Sequence, residues 1–376
     1  MKLCFLHPGQ MQFNVDTPFH QPLGGTESAL AYLAIELAAL GHQITLLSNT
    51  EDTGMMRGVT CLNYARQIET DYLASQAFDG IVVINATRLG PILKKRLNEG
   101  TQLILWATLD VDQPPLHPLL QKEIRQAWDG IAAVSEYHRL RLVNHLHVDM
   151  ERVHVLRNAM APVFENQFID GAELAQVKRA TGAPQLAYTS TPFRGLESLM
   201  DLYPRFSQFF PASVLKVFSS MQVYQKGGND EEKWLLDLYE KCRNMPGVMY
   251  VGSIPQPQLA RELRSTSILA YPSTFSETSS IAVMEAMASG CLVVTSEFGA
   301  LPETTRRFSQ LVPVAFRSVA DFEKEFFNAL VAVFMEFYSH PEAMYDHLWE
   351  QVCFANEQYT WHQRARDWIA VLEKMS

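Results

Sequence analysis

The sequence predicts an α/β protein of two Rossmann-like domains facing a cleft, on three observations. Short apolar runs alternate with amphipathic segments along nearly the whole chain, the pattern left by parallel strands whose two faces are covered by helices. The alternation stops between about Ala161 and Gly182 and then restarts. The chain has 376 residues, more than the roughly 250–300 at which a single core stops growing. Ligands of open α/β sheets bind at the carboxyl ends of the strands, so a cleft between two such domains is where chemistry is expected. The boundaries read from the sequence are residues 1–165, residues 166–355, and a C-terminal helix over 356–376 that packs back on the first domain.

The first run opens with a strand at Leu3–Leu6, followed by a polar loop to Leu23. Gly24-Gly25-Thr26-Glu27 then starts an amphipathic helix that Gly41 stops, and Ile44–Leu47 is the next strand. Gly80–Ile84, Gln102–Trp106, Gly130–Val134 and Val153–Leu156 are further buried-strand candidates. The interruption holds Pro162, a polar helix, Gly182 and Pro184. The second run places strands at Leu186–Tyr188, Val214–Phe218, Val248–Val251, Ile268–Tyr271 and Cys291–Thr295. Tyr359–Lys374 reads as a closing helix anchored by Trp361 and Trp368.

Composition narrows the function. The net charge of −10 disfavours nucleic acid as a partner, which calls for a basic surface. An acidic protein still binds a dianionic ligand where backbone amides and a few cations act locally. The five cysteines are scattered and form no C-x-x-C pair, which argues for a reducing compartment and against structural zinc. Neither a signal peptide nor a run long enough to span a membrane is legible, so a cytoplasmic protein is expected.

The most informative segment is Tyr271-Pro-Ser-Thr-Phe-Ser-Glu277-Thr-Ser-Ser-Ile-Ala-Val-Met-Glu285-Ala-Met-Ala-Ser-Gly290. It reads as strand, loop, and a helix from about Thr278 to Ser289 ended by Gly290. Small residues Thr278, Ser279 and Ser280 at a helix start expose N–H groups and the positive end of the helix dipole, which suits a phosphate. Eight helical residues span about 12 Å, comparable to the reach of a nucleotide-diphosphate sugar from hexose to ribose. Glu277 and Glu285 are then placed to accept from hydroxyls at its two ends. On spacing alone, a capped helix with solvent-facing acids accounts for the same residues.

The surrounding sequence adds a resemblance. Glu277-x7-Glu285-Ala-Met-Ala-Ser-Gly resembles the E-x7-E signature of retaining GT-B glycosyltransferases, glycosyltransferase family 4 in particular. Cys291-Leu-Val-Val-Thr-Ser-Glu-Phe-Gly-Ala-Leu-Pro-Glu-Thr304 is similar to that family's next strand and glycine-bearing turn. Gly24-Gly25-Thr26-Glu27, Val134-Ser135-Glu136 and Leu156-Arg157-Asn158-Ala159 are similar to its first-domain elements, in the same order. The resemblance implies that Glu277 holds donor-sugar hydroxyls near the reacting carbon and that Glu285 binds ribose. It implies that the amides of Thr278, Ser279 and Ser280 approach sugar or phosphate, and that Gly24 and Gly25 let backbone approach the donor.

Two departures stand out. The family binds the diphosphate with an Arg and a Lys. Here Arg194-Gly195 matches the second, while Thr189, Ser190 and Thr191 stand near the first. Arg194 clamps a phosphate bidentately, the hydroxyls of Thr189 and Ser190 add donors, and Lys216 or Lys226 is a further cation. Many relatives also carry a His after the strand ending at Trp106, where this chain has Thr108 and Asp110. Asp110 is read either as a catalytic group or, with Asp112, as part of a polar turn before Pro114-Pro115.

His138, His145, His147 and His154 lack a metal-binding context and read as packing or surface residues, so no metal is expected. Cys4 and Cys291 read as core residues, and Lys94-Lys95-Arg96 as a solvated face with at most peripheral membrane contact. The function expected is metal-independent hexosyl transfer, with retention, from a nucleotide-diphosphate sugar as donor substrate rather than cofactor. The acceptor is a carbohydrate, lipid-linked or protein hydroxyl. A sugar-nucleotide epimerase of the same architecture and a non-catalytic nucleotide-sugar-binding relative are the alternatives. An NAD-dependent dehydrogenase is disfavoured, since no G-x-G-x-x-G follows the first strand.

Overall fold

The computed structural model describes residues 1–68, 70–225, 232–314 and 318–375. Fourteen strands among them form two sheets. The first contains β1 (Lys2–Leu6), β2 (Gln43–Ser48), β3 (Gly54–Met56), β4 (Val59–Asn63), β5 (Gly80–Ile84), β6 (Gln102–Trp106), β7 (Gly130–Ala133) and β8 (Val153–Val155). Their order is β3-β4-β2-β1-β5-β6-β7-β8, parallel except for the β3–β4 pair. The second contains β9 (Leu186–Tyr188), β10 (Leu215–Val217), β11 (Val248–Tyr250), β12 (Ile268–Tyr271), β13 (Leu292–Ser296) and β14 (Ser309–Val312). Its order is β11-β10-β9-β12-β13-β14, all parallel. Full burial of β5, β6, β7, β12 and β13, and of β1 from Leu3 on, explains why these strands read as apolar runs rather than alternating ones.

By internal contacts the chain forms two compact units, one of Met1–Pro18, Gly24–Ala159 and Trp361–Ser376, the other of Phe19–Leu23 and Met160–Thr360. The change of unit falls near Ala159 and Trp361. Within the second unit, Met160 N–H donates to Tyr359 O at 3.2 Å, and Asn166 N–H to the side-chain oxygen of Asn356 at 2.7 Å.

Within the first unit, the helix Trp361–Met375 lies on the helix Gly25–Ala39. Trp368 is enclosed between Phe5 and Trp106, with ring centroids 6.2 and 5.1 Å away. Burying a side chain of this size contributes roughly 2–3 kcal/mol. In the second unit, the helix Gly171–Arg179 is capped at Asp170, whose side chain accepts from Glu173 N–H. Lys178 from that helix is buried, and its ammonium donates to three carbonyls: Leu263 O at 3.3 Å, Ser289 O at 2.7 Å and Thr266 O. Those oxygens end the helices Gln256–Arg264 and Ile281–Ala288, where a cation meets the last carbonyls and the negative dipole end. Cys4 and Cys291 are buried core thiols. No helix among the described residues is long and apolar enough to cross a membrane.

Candidate active site

Glu277 is placed by the ends of two neighbouring strands. After β12 the chain turns tightly, with Ser273 N–H donating to Tyr271 O at 2.8 Å and Glu277 N–H to Phe275 O at 2.9 Å. Hydroxyls of β13 fasten the turn: Thr295 Oγ1 donates to Tyr271 O at 2.7 Å, and Ser296 Oγ to Ser273 O. The next loop then supports Glu277 from behind, with Ala300 N–H donating to its carbonyl at 2.7 Å. Gly299 makes this approach possible. Its φ is +63°, and a Cβ there would stand 2.5 Å from Glu277 O and 2.8 Å from Glu277 N, where no side chain fits.

The Glu277 carboxylate, 2% exposed as a residue, accepts from Arg194 Nη1 at 2.8 Å on one oxygen and 2.9 Å on the other. Tyr271 Oη donates to the first of these oxygens, and the Ser190 hydroxyl lies 3.3 Å from Tyr271 Oη. Burial and then the neighbouring carboxylate push the Tyr271 phenol well above its usual range, so it stays a donor. Arg194 arrives from the loop after β9. Gly195, at φ +107°, lets that loop touch the one after β12, since a Cβ at 195 would stand 2.2 Å from Pro272 O. The guanidinium carbon sits 4.6 Å from the Phe275 ring centroid and 5.6 Å from that of Phe193, a cation–π setting. Burial opposes the charge of Arg194, but Glu277 outweighs it and the pKa lies above the ordinary arginine value.

Polar atoms without partners gather on the same strand ends. Thr189 Oγ1 and Thr191 Oγ1 after β9, Ser219 Oγ after β10 and Arg194 Nε are buried and bond to no described residue. Since β9 and β10 are hydrogen-bonded neighbours, these groups lie on one stretch of sheet rim. Buried polar groups are almost always satisfied, so several open positions together mark a place for a polar ligand or water. Of these, Ser219 was not singled out from the sequence, nor was Gln256, which lies beside Glu285. A serine after a short strand carries no local signal of being left unsatisfied.

Glu285 is 3% exposed and lies in the helix Ile281–Ala288. It accepts from Ala161 N–H at 3.3 Å, and burial pushes its carboxyl up to about 8, offset in part by that bond and by the Gln256 side chain. Gln256 Oε1 is itself buried without a partner. The helix is shorter than expected: it starts at Ile281, with Ser280 as N-cap and Thr278 and Ser279 in the preceding loop. Hydroxyl side chains compete for local backbone bonds and favour caps over helix interiors. The eight-residue helical span between Glu277 and Glu285 therefore does not exist, and Glu285 lies in the second turn.

In the first unit, Gly24 is the N-cap and Gly25 the first residue of the helix Gly25–Ala39, and Ser28 N–H donates to Gly24 O at 2.9 Å. Beside them is a pair that the sequence reading missed. His7 Nδ1 accepts from Gly9 N–H at 3.3 Å, leaving Nε2 to donate to buried Glu27 at 3.1 Å. Thr108, at the position of the absent His, shares hydrogen bonds with Thr26 at 3.0 Å and Asn85 at 2.7 Å.

Asp110 is fully buried, and Arg141 bonds both of its oxygens, through Nε at 3.2 Å and Nη2 at 3.1 Å. Its carboxylate thereby holds the helix Glu136–Leu146, which carries Arg141. Lys216 is likewise committed, to Glu262 at 2.7 Å, and Lys226 lies outside the described residues. Burial pushes His138 down to about 4, and among the described residues no three His, Cys, Asp or Glu side chains gather as a metal site would need.

Two parallel, Rossmann-like sheets in one chain, with acids and a cation on the carboxyl rim of the second, define the GT-B glycosyltransferase fold. Residues 211–329 match the family "Glycosyl transferases group 1", a segment that includes Glu277 and Glu285 but not Arg194. The chain is similar in structure to a sucrose-phosphate synthase from Thermosynechococcus elongatus, with TM-score 0.72 and 15% identity over 100% of this chain and 99% of that one. It is similar to Anabaena HepE in complex with UDP and glucose, with TM-score 0.68 and 13% identity over 100% of both chains. A glycosyltransferase from Rickettsia africae gives TM-score 0.64 and 12% identity, covering 100% of this chain and 98% of that one. A comparison with curated protein sequences finds no match.

Proposed function

We propose that the protein is a retaining glycosyltransferase that moves a hexose from a nucleotide-diphosphate donor to an acceptor hydroxyl and needs no metal. The observation that carries this reading is the Arg194–Glu277 pair ringed by open hydroxyls. The matched family and the fold point to sugar transfer from a nucleotide sugar. The solved HepE structures that hold UDP and UDP-glucose favour a donor of that kind.

In this reading the second unit binds the donor and the first unit the acceptor. Arg194 leaves Glu277 for the diphosphate, where its fork fits phosphate oxygens. The hydroxyls of Thr189, Ser190, Thr191 and Ser219 complete the anion's bonds in place of a second cation. Glu277, released from Arg194 and still held by Tyr271, accepts from hydroxyls of the transferred sugar. Glu285 and Gln256 accept from ribose hydroxyls. As the bond between the anomeric carbon and the diphosphate oxygen breaks, negative charge grows on the leaving phosphate. Fixed donors already aimed there stabilise it without reorganising. The acceptor oxygen bonds to the same face of the sugar, and the leaving phosphate oxygen takes the acceptor's proton.

The test uses purified enzyme with UDP-, GDP- and ADP-hexoses in the presence of EDTA. Binding of one donor followed by transfer with the anomeric configuration kept is the expected result. Glu277→Ala should abolish transfer while the thermal transition stays cooperative. Full transfer by that variant, or inversion of the product, would overturn the assignment.

A further inference from the structure

Arg194 is held in two different ways. Hydrogen bonds spend Nη1 on Glu277, while Nε is buried and bonds to no described residue. The guanidinium carbon also lies over two aromatic rings, 4.6 Å from the centroid of Phe275 and 5.6 Å from that of Phe193. Those centroids are 5.8 Å apart and the rings meet at 62°. Three sides of similar length put the cation in a corner between the rings, not in a parallel sandwich. Local backbone bonds fix both walls of the corner. Phe193 belongs to the single turn Pro192–Arg194, which opens on a proline and closes with Arg194 N–H donating to Thr191 O at 3.1 Å. Phe275 N–H donates to Ser273 Oγ at 3.3 Å, and its carbonyl accepts from Glu277 N–H at 2.9 Å. The loops that carry the two rings touch at Gly195, where a Cβ would stand 2.2 Å from Pro272 O.

A ring attracts a guanidinium through its quadrupole, and that attraction is tied to no particular N–H group. A hydrogen bond is directional and has one partner at a time. The rings therefore keep their hold on the cation when its hydrogen-bond partner changes. We propose that Phe275 and Phe193 are positioning residues, an aromatic corner that keeps Arg194 in place while it exchanges the Glu277 carboxylate for the diphosphate of a nucleotide. The inference rests on the donor-site reading above. Without the rings, an arginine that lets go of Glu277 gains rotamer freedom, and binding a diphosphate has to remove it again. Ordering one such side chain corresponds to roughly 2- to 10-fold in affinity.

The test titrates the full chain with UDP, GDP and ADP, each beside its nucleoside, using ligand-observed NMR for the weakly bound nucleosides. Phe275→Leu should weaken the diphosphate that the wild type binds by roughly 2- to 10-fold and leave the nucleoside, which carries no anion, as it was. Phe193→Leu should act in the same direction by less, because its ring is farther from the cation. It keeps the test open should Phe275→Leu not fold. Phe275→Tyr retains a ring face and should stay within about twofold of the wild type. Three results overturn the proposal: both leucine variants binding the diphosphate as the wild type does, diphosphate and nucleoside losing affinity alike, and Phe275→Tyr losing as much as Phe275→Leu. A wild type that binds no nucleotide diphosphate sinks the donor-site reading instead. The corner is then read by urea unfolding, where Phe275→Leu should lower the midpoint more in the wild type than in Arg194→Met, and equal shifts in the two backgrounds overturn it.

Discussion

Arg194 and Glu277 stand 83 positions apart in sequence and share one fork: Nη1 donates to both carboxylate oxygens, at 2.8 and 2.9 Å. Each neutralises the other's charge, so the site holds its own counter-ion until a stronger anion replaces the carboxylate. Arg194→Met should leave Glu277 buried without its cation, costing about 2–4 kcal/mol of stability. It should also remove binding of nucleotide diphosphates. Urea unfolding and UDP titration of the same variant check both outcomes. A variant that binds UDP normally would show that Arg194 serves only Glu277.

Two glycines set this geometry. Alanine at 195 would place Cβ 2.2 Å from Pro272 O, and at 299 it would place Cβ 2.5 Å from Glu277 O. Both positions also have positive φ. Gly299→Ala and Gly195→Ala should each destabilise the fold by about 2 kcal/mol or more. Transfer should fall further than the loss of folded protein explains, measured as kcat per folded molecule. Alanine variants with wild-type kcat would show that the loops can separate without disturbing Glu277.

The buried Glu285 makes stability depend on pH in a defined direction. Its carboxyl is raised by burial to about 8 from 4.5, so between those values the native state binds a proton that the unfolded chain has released. Stability is full below about pH 4.5 and declines as pH rises through about 8, at up to about 1.4 kcal/mol per pH unit from this group. Lys178, lowered by burial to about 8 from 10.5, acts in the opposite sense: stability recovers as pH rises from about 8 to about 10.5. Denaturation midpoints at half-unit intervals from pH 5 to pH 10 should show the decline, and Glu285→Gln should flatten it. An unchanged slope in that variant would mean that Glu285 is charged in the native protein.

Asp110 separates a structural role from a catalytic one. Both of its oxygens are held by Arg141. Asp110→Asn should lower stability by roughly 2–4 kcal/mol while the affinity for UDP and the pH dependence of kcat stay as in the wild type. A variant of normal stability whose kcat collapses would restore Asp110 to the reaction.

Most of the framework was legible because strand signals are local. β5, β6, β9 and β12 lie at the bounds read from their apolar runs. β3, β4 and β14 went unread. β3 has three residues and pairs antiparallel at the sheet edge, β4 alternates buried and half-buried residues, and β14 is half polar, so none shows an unbroken apolar run. The helix after Glu277 was drawn three residues too early because a Thr-Ser-Ser stretch resembles a helix start whether its residues lie in the first turn or just before it.

By itself the sequence determined the α/β class, the two successive runs of strands and the pair of acids around a helix start. Periodicity and motif spacing are properties of neighbours along the chain. Tertiary structure decided which charges meet. It gave Arg194 to Glu277, Arg141 to Asp110 and three carbonyls to Lys178, and it buried Glu285 until its carboxyl favours the proton. Such pairings depend on how loops from separate strands touch, down to a missing Cβ at Gly195 and Gly299, and desolvation sets their energies only once the sheets have formed.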